Sequence, residues 1–407
     1  MNMSIGIRQS AVIGAAAAFS ILASAAAAQE TGLTDASIKI GLIQPFSGPA
    51  SAYSQIAYTN EAYVKKINEE GGVCGRQIEL VMYDDGYSPP KAVEQARKLV
   101  ESDEVFLIFN ALGTPSNSAI QKYMNAKKVP QLFVATGASK WGDPENFPWT
   151  IGWQPNYVDE AKIYANYILK NHPDGKIGIL YQNDDYGKDY IKGLRDALGD
   201  KASMIVAEQP YEVADPTVDS QIINLKASGA DIFLNVATPK FAAQAIKKVD
   251  EIGWKPVHFL NSVSNSVGAV LKPAGFEASK DVISAAYLKD ANDPQWKDDE
   301  GLAKWNAFMD KYHPKGDKNS SFTAYGYSVT QALEHVLKAS CDNLTREGVM
   351  KAAASMKDVP LDMTLPGITM TTSETDFYPL QSMQLEKFNG DRWELFGEVI
   401  SGAAGTN

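Results

Sequence analysis

From Ile38 onward, short apolar runs of strand length alternate with segments whose apolar residues return every three or four positions. Ile38, Ile40, Leu42 and Ile43 form the first run; Pro45, Gly48 and Pro49 break it, and a helix over about 54–70 follows, stopped by Gly71-Gly72. Ile78 to Tyr83 reads as the next strand, ending in Asp84-Asp85-Gly86, and Pro90 opens a helix with Ala92, Val93, Ala96, Leu99 and Val100 on one face. The cycle repeats with a strand at Val105 to Phe109, a turn at 112–117, a helix at 119–126 and a strand at 131–135 running into Thr136-Gly137-Ala138-Ser139. Strands alternating with amphipathic helices predict a parallel sheet covered on both faces.

Aromatics, Gly152 and Pro155 interrupt the rhythm between Trp149 and Tyr157. A second run of the same kind then predicts helices at 159–171, 189–198, 219–227 and 241–252, with strands at 176–181, 203–207 and 232–236. A strand at 257–260 and another from Val282 to Tyr287 follow, after which the alternation degrades. Helices near 302–312, 321–339 and 345–356 precede two strands, 382–388 and 393–399, turned at Asn389-Gly390-Asp391. Two α/β units in sequence are predicted, with a tail that revisits both.

The first 28 residues change the picture of where this chain works. They carry Arg8 as their only charge, an apolar stretch from Ala11 to Ala23 and a small-residue end, Ala26-Ala27-Ala28. That is the layout of a secretory leader with an Ala-x-Ala cleavage site, its apolar core too short to span a membrane. No cysteine follows that core to carry a lipid, so a soluble exported protein is expected.

The 407-residue chain has a net charge of −11, and losing Arg8 with the leader leaves −12. Such a balance argues against binding nucleic acid or an anionic lipid surface. Its length suits two domains. Cys74 and Cys341 are the only cysteines, which in an oxidising compartment allows either one bridge or two buried thiols.

Catalytic chemistry is hard to find. His172, His258, His313 and His335 lie far apart, without His-x-x-x-His or Cys-x-x-Cys spacing, so no metal site is expected. No phosphate loop, dinucleotide fingerprint or nucleophile elbow follows any predicted strand, and no cofactor is expected. Asp84-Asp85 and Asp184-Asp185 could serve as acid and base, but Asp after a strand more commonly caps the next helix. What gathers at the strand ends is neutral: Ser47, Gly48, Ser51, Tyr53, Gly113, Thr114, Ser116, Thr136, Gly137, Ala138 and Ser139. Hydroxyls and exposed amides of this kind hold a small carboxylate without a formal positive charge. Trp153 and Tyr186 would add aromatic walls.

Ser47-Gly48-Pro49, Gly71-Gly72-Val73-Cys74-Gly75-Arg76, Tyr83-Asp84-Asp85, Val134-Ala135-Thr136-Gly137-Ala138-Ser139 and Leu180 to Gly187, in that order behind a leader, resemble the periplasmic solute-binding proteins of branched-chain amino acid ABC importers. The resemblance covers nearly the whole mature chain. It implies a type I periplasmic binding fold, two Rossmann-like lobes with parallel-sheet cores joined by three crossovers, closing like a Venus flytrap. Lobe 1 would be 38–155 plus 287–362, and lobe 2 would be 156–286 plus 363–401. Both cysteines then fall in lobe 1, which favours a bridge. The implied partners are a small carboxylate and a membrane permease, for a monomeric, non-enzymatic periplasmic protein. A soluble sensory protein feeding a receptor and, further off, a secreted α/β hydrolase are the alternatives.

By the same resemblance, Gly113, Thr114, Ala138 and Ser139 would hold the carboxylate, Tyr53 would close over the ligand, and Tyr186 would approach from lobe 2. The chain departs from the pattern at one point. The amino-acid binders pair the ligand ammonium with a Glu in the loop after the strand that here is 257–260, and Val263 stands there instead. Either the ammonium is met elsewhere, or the ligand is an aromatic or aliphatic acid.

Overall fold

The computed structural model describes Met1 and residues 30–402; the leader expected at 1–28 lies, Met1 apart, outside the described residues. The first lobe is built from β1 (Ser37–Gln44), α1 (Ser54–Glu69), β2 (Gln77–Asp84), α2 (Pro89–Arg97), β3 (Leu107–Phe109), α3 (Thr114–Lys127), β4 (Gln131–Val134) and β5 (Thr150–Gly152). Its five strands are all parallel, in the order β2-β1-β3-β4-β5. Helices on both faces bury β3 and β4 completely, which is why Leu107 to Phe109 and Leu132 to Val134 read as apolar runs rather than as alternation.

The second lobe continues with α4 (Tyr157–Asn171), β6 (Ile177–Gln182), α5 (Asp185–Leu198), β7 (Ile205–Tyr211), α6 (Asp219–Ala227), β8 (Ile232–Val236), α7 (Pro239–Glu251), β9 (Val257–Leu260), the short α8 (Lys272–Ala274) and α9 (Phe276–Ser279), and β10 (Ile283–Ala286). The chain then leaves this sheet for α10 (Glu300–Tyr312), α11 (Ser321–Ala339) and α12 (Arg346–Ala353), and returns as the hairpin β11 (Ser382–Phe388) and β12 (Trp393–Ser401). The seven-stranded sheet runs β12-β11-β10-β9-β8-β6-β7, parallel from β7 to β10 and antiparallel across β10, β11 and β12.

α11 lies against α1 of the first lobe, where Asn60 Nδ2 donates to Gly326 O (3.2 Å) and Thr330 Oγ1 (2.8 Å). The backbone therefore crosses between lobes three times: after β5, after β10 and before β11. A Cys74–Cys341 disulfide ties the turn after α1 to the end of α11, across 267 positions of sequence.

In both sheets the strand order reverses beside the first strand of the lobe, between β1 and β3 and between β6 and β8. Connections on the two sides of such a point run in opposite directions and leave a crevice at the carboxyl ends of the strands. The two crevices face each other, and that positions the site.

Candidate ligand-binding site

A cavity of about 80 Å³ lies between the lobes. That is room for the order of six water-sized occupants, the scale of a compact organic acid. Six tyrosines line it, Tyr53, Tyr87, Tyr157, Tyr186, Tyr287 and Tyr325, none more than 8% exposed. The lobes are closed over it, with Tyr53 Oη donating to Val263 O (3.0 Å) from one lobe to the other.

Each wall comes from a strand end. Gly113 follows β3 at φ +97, and a Cβ there would meet the Tyr87 ring at 2.4 Å, so only glycine lets that ring approach the start of α3. Thr114 opens α3, whose first amides have no carbonyl of their own helix to bond. Its hydroxyl is 2.6 Å from that of Thr136, which thus stands behind the wall. Across the cleft, Asp184 caps α5 by accepting from Tyr186 N (3.0 Å) and Gly187 N (3.3 Å), and this turn delivers Tyr186 to the cavity. Asp84 and Asp85 also hold turns, accepting from Ser47 Oγ (2.5 Å) and Ser116 Oγ (2.6 Å). Thr238 enters after β8, its amide donating to Tyr211 Oη (3.0 Å).

The chemistry of this end is one-sided. Tyr87, Tyr157 and Tyr325 accept from side-chain amides, from Gln182 (3.4 Å), Gln154 (3.3 Å) and Asn110 (3.4 Å) respectively. Accepting leaves each O–H proton to give. The Tyr186 hydroxyl is buried with no hydrogen-bond partner among the described residues. Burial holds the phenols of Tyr53, Tyr87, Tyr186 and Tyr287 well above their ordinary range, so they remain donors. Burial also pushes the Asp184 carboxyl up to about 6, against hydrogen bonds from Gln182, Gly187 and Tyr186.

Of the residues expected from sequence, Tyr53, Gly113, Thr114, Tyr186 and Val263 line the cavity. Thr136, Gly137, Ala138, Ser139 and Trp153 do not. The Ala138 amide donates to Thr136 Oγ1 (3.2 Å), and Ser139 gives its amide (2.6 Å) and hydroxyl (3.0 Å) to Asp189 of α5. A pair expected to grip the ligand is thus occupied within the protein, with Ser139 bonding across the lobes. Gly137 packs under the first crossover, where a Cβ would sit 2.3 Å from Pro155 O. Trp153 backs the wall, its ring edge-on to Tyr325 with centroids 4.8 Å apart.

Sequence reasoning missed Tyr87, Tyr157, Tyr287, Tyr325 and Glu386. Tyr87 and Tyr157 each follow a turn signal, Asp85-Gly86 and Pro155-Asn156, that could have marked them. Tyr325 within a helix and Glu386 within a strand carry no local signal. Among the described residues no group of histidine, cysteine, aspartate or glutamate is arranged to hold a metal ion.

The sequence profile for "Periplasmic binding protein" matches residues 37–391. Leu/Ile/Val-binding protein homolog 7 of Brucella abortus is 27% identical over 277 residues, 66% of this chain and 68% of that protein. Homolog 1 of the same organism is 24% identical over 367 residues, 86% and 94% of the two chains. Among solved structures, a branched chain amino acid ABC transporter protein from Thermus thermophilus with bound valine is similar in fold, with a TM-score of 0.82, 16% identity and coverage of 92% and 98%. A fatty acid ABC transporter substrate-binding protein from Thermomonospora curvata superposes at TM-score 0.75 with 23% identity, covering 93% of this chain and 96% of its own.

Proposed function

The chain belongs to the periplasmic binding protein family, and from that premise we propose that it is the extracytoplasmic solute-binding component of an ABC importer, capturing a small carboxylate by lobe closure and passing it to a membrane permease. The observation that carries this reading is the donor-rich end of the closed cavity, where tyrosine hydroxyls meet Thr114 at the start of α3. A carboxylate offers about four acceptor sites and no donor, the complement of that surface. The names of the similar proteins point the same way: leucine, isoleucine, valine and fatty acids share an apolar body carrying a carboxylate. Among the described residues the two cavity-lining lysines are engaged elsewhere, Lys289 by Asp299 (2.7 Å) and by Asp362 O (2.9 Å), and Lys318 by Asp310 (2.7 Å). On this reading no bond is made or broken, and binding with release is the whole task of a monomer working in the periplasm.

Calorimetric titration of protein unfolded, dialysed and refolded without ligand tests the proposal. L-leucine, 4-methylpentanoate, hexanoate and benzoate are compared with their carboxamides. At least one acid should bind one-to-one and at least ~100-fold more tightly than its amide, as expected when charged hydrogen bonds are lost in a closed cleft. Equal affinity for acid and amide, or no binding by any acid, would overturn it.

A further inference from the structure

The cavity has a second polar end, and it is built from acceptors. Glu386 on β11 lines the cavity and is 2% exposed. Its Oε1 accepts from Asn265 Nδ2 (2.8 Å), and among the described residues Oε2 has no hydrogen-bond partner. Asn265 is held in that orientation, because its Oδ1 accepts from Ser321 Oγ of α11 (3.1 Å) and its carbonyl accepts from Trp393 Nε1 (2.7 Å). Ser321 belongs to the helix packed on the first lobe, so closure completes this shelf.

The charges around Glu386 are of one sign. Asp290, Glu160 and Asp293 face it, and Asp290 also lines the cavity. The two lysines that line the same cavity turn elsewhere, Lys289 to Asp299 and Lys318 to Asp310. A buried carboxylate among carboxylates, with one oxygen open to the cavity, lacks a positive partner.

Resting on the carboxylate reading above, we infer that Glu386 is the partner of a ligand ammonium, so that the captured acid is an amino acid whose two charges are gripped by different ends of the cavity. The acidic partner missing at Val263 is then supplied from β11, and Val263 is left to pack against the ligand's apolar body. Burial holds the Glu386 carboxyl well above its ordinary range despite the Asn265 bond, which favours its protonated form in the ligand-free protein. An arriving ammonium would displace that proton to solvent.

The test is titration of the refolded protein with the twenty L-amino acids, with ω-amino acids from β-alanine to 6-aminohexanoate, and with the plain acids 4-methylpentanoate, hexanoate and benzoate. At least one amino acid should bind ~100-fold more tightly than its des-amino counterpart, and Glu386→Gln should erase most of that preference while weak binding of the plain acid persists. Unaltered protein titrated at pH 7 in phosphate and in Tris should show net proton release on binding an amino acid and none on binding a plain acid. If Glu386→Gln fails to fold, Asn265→Ala and the two-buffer comparison carry the test. Plain acids binding as tightly as amino acids, or a preference unchanged in Glu386→Gln, would overturn the inference and leave the carboxylate reading standing. Failure of every acid to bind would remove both.

Discussion

The Tyr186 hydroxyl is buried at the cavity with no partner among the described residues, so its removal takes no hydrogen bond from the ligand-free fold described. Tyr186→Phe should keep or slightly raise stability in denaturant titration, while weakening acid binding about tenfold, the worth of one hydrogen bond to a charged acceptor. Asp184 gives a pH signature. Its folded carboxyl stands at about 6, above the ~3.9 of an unfolded chain. The folded state therefore binds that proton more tightly, and the associated stability is complete below about pH 4 and lost as pH rises through about 6. Wild-type stability relative to Asp184→Asn should fall by about 3 kcal/mol between about pH 4 and pH 7; a flat difference would show the carboxyl to be unperturbed. At this scale the sequence was readable where a residue sits in a strand-end turn, as with Tyr53, Gly113 and Tyr186. It was unreadable where partners arrive from elsewhere: nothing in Ala138-Ser139 announces that Thr136 and Asp189 will occupy their donors.

Elements were the most legible level, since burial on both faces writes β3 as a continuous apolar run and β4 and β8 as apolar runs with one polar residue each, Gln131 and Asn235. β5 escaped because three residues, Thr150–Gly152, are too few to show a period amid aromatics. β7 extends to Tyr211, beyond the strand expected to end at Ala207, because its mixed burial conceals its length. The Cys74–Cys341 bridge joins α1's turn to α11 within the first lobe, away from the cavity lining. Replacing both cysteines by serine should lower unfolding free energy by about 2–5 kcal/mol through the freed denatured chain, with ligand affinity unchanged. An affinity loss equal to the stability loss would mean that the bridge shapes the cleft.

For the whole molecule the account is one of two rigid lobes whose facing crevices become a single cavity on closure. Bonds across the cleft hold this state: Ser139 to Asp189 (2.6 and 3.0 Å), Lys140 to Asp185 (3.1 Å) and Tyr53 to Val263 (3.0 Å). Asp189→Ala should bias the equilibrium toward the open form and weaken affinity by roughly threefold to tenfold, since a ligand that needs the closed state binds in proportion to its population. Two-lobe architecture was legible from the repeated strand-helix rhythm; the meeting of the two crevices depends on strand order, which rhythm alone does not encode. Small-angle scattering of refolded protein, alone and with the acid that calorimetry finds to bind, tests closure around a carboxylate most directly. The radius of gyration should fall at one equivalent of acid and stay unchanged with the matching amide, whereas a tightly bound acid that leaves the radius as it was would contradict the account.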